Sequence, residues 1–177
     1  MLAPLVLLLL LASSQAQDVN SLANFVYSNV GTILQPSEVA QIANVVAQQA
    51  CSGASAQQIV DNIQTTVQQN IGGQTAVNAL YLANKLQNDL GNDFATVRNA
   101  VSTATVQVLG PVLNDITQQC GNGVAAVLAQ ANNYANQQFV QNYFNQVYQA
   151  ISGVNPNGWS ICRNDLAPYV FFGNYGL

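Results

Sequence analysis

Residues 36–71 read PSEVAQIANVVAQQACSGASAQQIVDNIQTTVQQNI, and the spacing inside this stretch decides the fold class. Pro36 suits the first position of a helix, where a missing N–H costs nothing, and Glu38 complements the positive end of the helix dipole. Val39, Ile42, Ala43 and Val46 then recur three and four residues apart, which puts them on one helical face. Ser52-Gly53 after Cys51 stops that helix. Ser55 is a good N-cap for the next, in which Ile59, Ile63, Val67 and Ile71 fall at every fourth residue. Abundant β-branched residues lower intrinsic helicity and make short strands the alternative. Strands would alternate apolar with polar residues, and this stretch does not.

The same period extends outward in both directions. Residues 21–34 predict a first helix with Leu22, Phe25, Val26 and Val30 inward. Beyond Gly72-Gly73 a fourth helix carries Val77, Leu80, Tyr81 and Leu90 as its apolar set and ends at Gly91. Asp93 is placed to cap a fifth, with Phe94, Val97, Val101, Ala104 and Val108 inward and Gly110-Pro111 as the stop. A short helix over 112–119 precedes Cys120, and the last covers 124–151, loosened around Asn132-Asn133. From Gly153 onward Gly, Pro and Asn break any period. The expectation is an all-α protein: about five to seven amphipathic helices bundled over residues 17–152, then an irregular aromatic tail over 153–177. Asn24-Phe25, Gln49 and Cys51 recur at one offset as Asp93-Phe94, Gln118 and Cys120, a faint trace of duplication with poorly matching residues between.

Residues 5–11 are an unbroken apolar run, too short for a bilayer, which needs about 20. Small residues follow at Ser14 and Ala16, the pattern of a signal peptide over 1–16 cut before Gln17, although a basic leader is missing. The expected address is secreted and extracellular, with no integral membrane segment.

Charged residues make up 6% of the chain, against about 25% in an ordinary soluble domain. Amides carry the polarity instead, with 22 Gln and 22 Asn. Apolar content of 50% is too high for a disordered chain. A net charge of −4 speaks against nucleic acid and anionic membranes as partners, and leaves copies of the chain little reason to repel one another.

Export makes Cys51, Cys120 and Cys162 disulfide candidates. Cys51 and Cys120 occupy equivalent helix ends and are the favoured pair, worth about 4 kcal/mol on the chain-entropy account. Cys162 would then be free to join two molecules into a disulfide-linked dimer. A Cys120–Cys162 bridge pinning the tail is the alternative.

Catalytic readings fail one after another. There is no His, so neither a Ser-His-Asp nor a Cys-His arrangement can form. Three scattered cysteines do not make a zinc site. Asp89 and Asp93 flank Gly91 at a turn, Gly121-Asn122-Gly123 lacks the Lys of a phosphate loop, and no calcium loop is present. The expectation is a non-enzyme with no catalytic residue, metal or cofactor. No Asn-x-Ser/Thr sequon occurs either.

Aromatic residues crowd the last helix (Tyr134, Phe139, Tyr143, Phe144, Tyr148) and the tail. Tyr169, Val170, Phe171 and Phe172 form a short uncharged segment between Pro168 and Gly173, fit for a strand or an adhesive edge. Trp159 is placed to anchor the tail, and Arg163 could pair with Asp165 at the surface.

These features predict a structural or extracellular-matrix protein, of the kind found in silk, egg case, cuticle, mucus or shell, that self-associates through an amide-rich, charge-poor surface. In texture the Gln-, Ala-, Ser- and Val-rich segments look like the helical domains of spider silk proteins, without a shared motif. The alternative is a carrier of a hydrophobic small molecule, or a surfactant, with Gly72-Gly73 and Gly110-Pro111 as hinges. Low disulfide density and the lack of a basic amphipathic helix speak against a toxin.

Overall fold

The computed structural model describes residues 19–176; the expected signal peptide lies outside them. Helix α1 (Val19–Phe25) widens into a π-helical turn over Val26–Val30. Then follow α2 (Pro36–Cys51), α3 (Ala56–Asn70), α4 (Gly73–Leu90), α5 (Phe94–Ile116), α6 (Val124–Ala131), α7 (Gln137–Val154) and α8 (Gly158–Leu166). Among the described residues the only β pairing is an isolated antiparallel bridge between Gly31 and Val170. This is the all-α bundle that the period predicts.

The buried rows of α2 and α3 are those read from the sequence: Val39, Ile42, Ala43 and Val46 on one, Ile59, Ile63 and Val67 on the other. Ser55 caps α3 as expected, accepting from the Gln58 N–H at 3.3 Å while the Gln58 amide oxygen accepts from the Ser55 N–H at 2.8 Å. Glu38 serves two ends at once. Its carboxylate accepts from the Gln35 N–H at 2.8 Å and from the Gly72 N–H at 3.2 Å, so the start of α2 holds the turn between α3 and α4.

Helix α5 is the central element, packed against α3, α6 and α7 and touching α4. Helix α2 lies on α1, α3 and α6, and α8 bridges α7 and α4. Where α5 and α7 meet, the fully buried Tyr143 hydroxyl stands 3.2 Å from Thr105 Oγ1, which itself donates to the Val101 carbonyl. A buried hydroxyl without such a partner would cost about 1–3 kcal/mol.

Four local expectations are corrected. Helix α1 does not reach residue 34: the helix ends at Val30, because the backbone of residues 30–32 bonds to the C-terminal tail. Gly110-Pro111 does not stop the fifth helix, which runs through it to Ile116, so the expected separate helix over 112–119 is the end of α5 and a 3₁₀ turn over Thr117–Asn122. Pro111 and Gln107, whose carbonyl loses its usual donor, both lie on the exposed face, where water can take the missing N–H's place. Asp93 does not cap α5; it sits in a 3₁₀ turn and its carboxylate accepts from Asn155 Nδ2 at 2.9 Å. The tail is irregular only in part, since α7 continues to Val154 and α8 follows it. The break expected at Asn132-Asn133 is present as a 3₁₀ turn between α6 and α7.

Candidate functional site

Of the three cysteines, Cys51 and Cys120 are bonded, joining the end of α2 to the turn after α5 across 69 residues. Cys162 lies in α8 with 1% of its surface exposed. Burial first, and the nearby Asp165 carboxylate second, push its thiol up to about 12. That placement counts against a disulfide-linked dimer through Cys162, which would require α8 to undock.

The segment Tyr169, Val170, Phe171 and Phe172 is already occupied by its own chain. Its edge is paired: the Thr32 N–H donates to the Tyr169 carbonyl at 2.8 Å, and the Phe171 N–H to the Val30 carbonyl at 2.9 Å. Val170 and Phe172 are buried, Tyr169 and Phe171 half-buried. Phe172 packs between Phe144 and Trp159, with ring centroids 5.3 and 5.6 Å away, and Trp159 in turn meets Tyr148. Tyr175 completes the seam by packing at a tilt against Phe144 and donating its hydroxyl to the Asn29 carbonyl at 3.0 Å. The tail is thus bound down onto the bundle, and these side chains hold it there.

Asp165 pairs with Lys85 of α4, at 2.6 Å, and not with its exposed neighbour Arg163. Lys85 also holds Asp89 one turn along its own helix. The two carboxylates keep the ammonium charged well above the usual lysine range, and Lys85 holds the Asp89 carboxyl below its own. One carboxylate oxygen of Asp165 is buried with no hydrogen-bond partner among the described residues.

Helix α4 departs most from expectation. Its inward row is Leu82, Leu86 and Leu90, facing α8 and the start of α5. Val77, Leu80 and Tyr81, expected inside, are 60%, 64% and 60% exposed. The helix therefore carries two apolar rows on opposite sides, and the bundle uses one. Both rows recur at helical spacing, so periodicity alone does not distinguish them.

Between α2, α6 and the end of α5 lies a void of about 10 Å³ lined by Ala43, Ala47 and Ala131 among others, room for about one water. Among the described residues no three His, Cys, Asp or Glu side chains gather where a metal ion could sit. No described helix is long and apolar enough to cross a membrane. Compared with known proteins, the chain matches no family, no curated protein and no solved structure.

Proposed function

We propose that this is a secreted, non-enzymatic structural protein of an extracellular material, such as silk, egg case, cuticle, mucus or shell, and that it works by self-association. The observation that carries the reading is the chemistry of the exterior. The outer face of α3 presents Gln57, Gln58, Asn62, Gln64, Gln68 and Gln69 with Asp61 as its one charge, and α7 presents Gln137, Gln138, Gln141, Asn142, Gln146 and Gln149 with none. Bringing two such faces together exchanges amide–water for amide–amide hydrogen bonds without stripping water from ions, the step that makes charged surfaces expensive to bury. Salt would neither screen nor drive the contact.

The Cys51–Cys120 bridge supports an oxidising address. Association in this reading is non-covalent, given the burial of Cys162. The void near Ala43 is far below the roughly 300 Å³ at which small-molecule pockets begin, so it lends the carrier alternative no support.

Sedimentation velocity on the purified chain tests the proposal. Concentration-dependent oligomers are expected, equally in low and high salt, with no lipid in an organic extract. A monomer at every concentration carrying stoichiometric lipid would refute the structural reading in favour of the carrier.

A further inference from the structure

The outward row of α4 is the largest unexplained feature of the surface. Val77, Leu80 and Tyr81 account for three of the five exposed large hydrophobic side chains among the described residues. Single exposed apolar residues need no explanation, but three on successive turns of one helix do. Their spacing is informative. Gly73, Val77, Leu80, Asn84 and Gln87 lie alternately four and three residues apart, the seam of a two-helix coiled coil. In heptad terms valine and asparagine fall at a positions and leucine at d. β-branched residues at a with leucine at d favour two strands, and a lone asparagine at a fixes the register of a pair.

The surroundings favour an identical partner. No charged residue occurs between Asp61 and Lys85, and Lys85 is committed to Asp89 and Asp165. Beside the seam Gln74 donates to Asn78 at 3.0 Å, a neutral rim. A membrane-surface helix would pair its apolar face with Lys or Arg, and here the flanks are amides on a chain of net charge −4. A foreign protein would be steered and selected by complementary charge, and the seam offers none. A second copy presents the same neutral row, so the two meet without desolvating an ion, in the isologous contact that two-fold dimers use.

We infer that two copies of the chain pair α4 against α4, with Val77 and Leu80 buried at the seam, Tyr81 covering it and Asn84 setting the register. The inference rests on the self-association proposed above and adds an apolar seam on α4 to its amide faces. The seam covers little more than two heptads, so pairing depends on protein concentration.

Sedimentation velocity on the full chain with its disulfide intact, for wild type, Leu80→Asp and the control Thr96→Asp on the exposed face of α5, tests it. Leu80 is exposed, so at a concentration where both are monomeric Leu80→Asp should keep the wild-type helicity and melting temperature. Wild type should dimerise, Thr96→Asp should match it, and Leu80→Asp should raise the dissociation constant roughly thirtyfold or more, as at an interface hot spot. Under mild oxidation Leu80→Cys should cross-link into dimers and Thr96→Cys should not. If Leu80→Asp and wild type associate alike, the α4 surface is wrong while self-association stands. If wild type is monomeric throughout, both fall. If wild type co-sediments with phosphatidylcholine vesicles and Leu80→Asp does not, the face is a lipid contact and the inference is overturned.

Discussion

Lys85 reaches from α4 to the carboxylate of Asp165 on α8, 2.6 Å away, and the two ends of this contact live in different media: the Lys85 side chain is 38% exposed and that of Asp165 5%. Asp165 is therefore the vulnerable partner, an anion inside the bundle neutralised from outside. Removing the cation alone strands a buried charge, whereas removing both leaves neutral groups. Lys85→Met should lower the melting temperature, and Lys85→Met/Asp165→Asn should be more stable than Lys85→Met alone. A thermal double-mutant cycle reads the coupling. Equal stability of these two variants would mean that the Asp165 carboxylate bears no penalty once Lys85 is gone.

The same clip sets a pH dependence. Lys85 titrates above its ordinary 10.5, so its contribution is complete below that pH and is lost as pH rises through the elevated value. Asp89 titrates below its ordinary 3.8, so its contribution is present above that pH and disappears as pH falls further. Both side chains are solvated enough for salt to weaken the effect. Wild type should thus show two limbs of falling stability, below about pH 4 and above about pH 10, and Lys85→Met should flatten both.

Gly31 is the point where the N-terminal and C-terminal segments cross. A Cβ there would lie 2.3 Å from the Tyr169 carbonyl oxygen, a backbone atom that cannot step aside. The backbone of Gly31 is extended, so the constraint is the close approach and not an unusual dihedral. Gly31→Ala should cost about 1–3 kcal/mol by chemical denaturation, through loss of the pairing with residues 169–171. An unchanged midpoint would show that the tail shifts freely.

What could be read in the sequence, and what could not, divides along physical lines. The fourth-residue repeats of α2 and α3, the Ser55 cap and the Asn132-Asn133 break were legible because each depends on neighbours along the chain, and the Cys51–Cys120 pairing because both cysteines sit at equivalent helix ends. The inward face of α4 was not, because Leu82-Leu86-Leu90 and Val77-Leu80-Tyr81 are both apolar rows and α8 chooses between them. Helix α8 itself hid behind Gly153, Pro156 and Gly158. The Lys85–Asp165 contact joins residues far apart in sequence, and local reasoning offered Arg163 in its place. Pro111 misled because a breaker rule weighs the lost hydrogen bond without asking whether water can replace it.

That last point can be measured. Proline inside a helix costs about 3 kcal/mol, reduced where the orphaned carbonyl is hydrated, while proline also restrains the unfolded chain by about 1 kcal/mol. Pro111→Ala, on the exposed face of α5, should therefore stabilise the protein by about 1–2 kcal/mol. A loss of stability would mean that α5 requires the proline's shape.

Cys162 tests whether α8 is docked. With the thiol buried and pushed up to about 12, Ellman's reagent at pH 8 should find almost no thiol in the native chain and one equivalent after denaturation without reductant. The elevated value also has a stability sign. The folded state holds the proton more tightly than the unfolded one, so the contribution is complete below the ordinary 9.0 and lost as pH rises from there toward about 12. Cys162→Ala should flatten that alkaline limb in part, since Tyr175, also raised to about 12 by burial, titrates in the upper half of the window. Rapid stoichiometric labelling of the native chain would show that α8 opens readily, and would return Cys162 to the list of groups able to link two molecules.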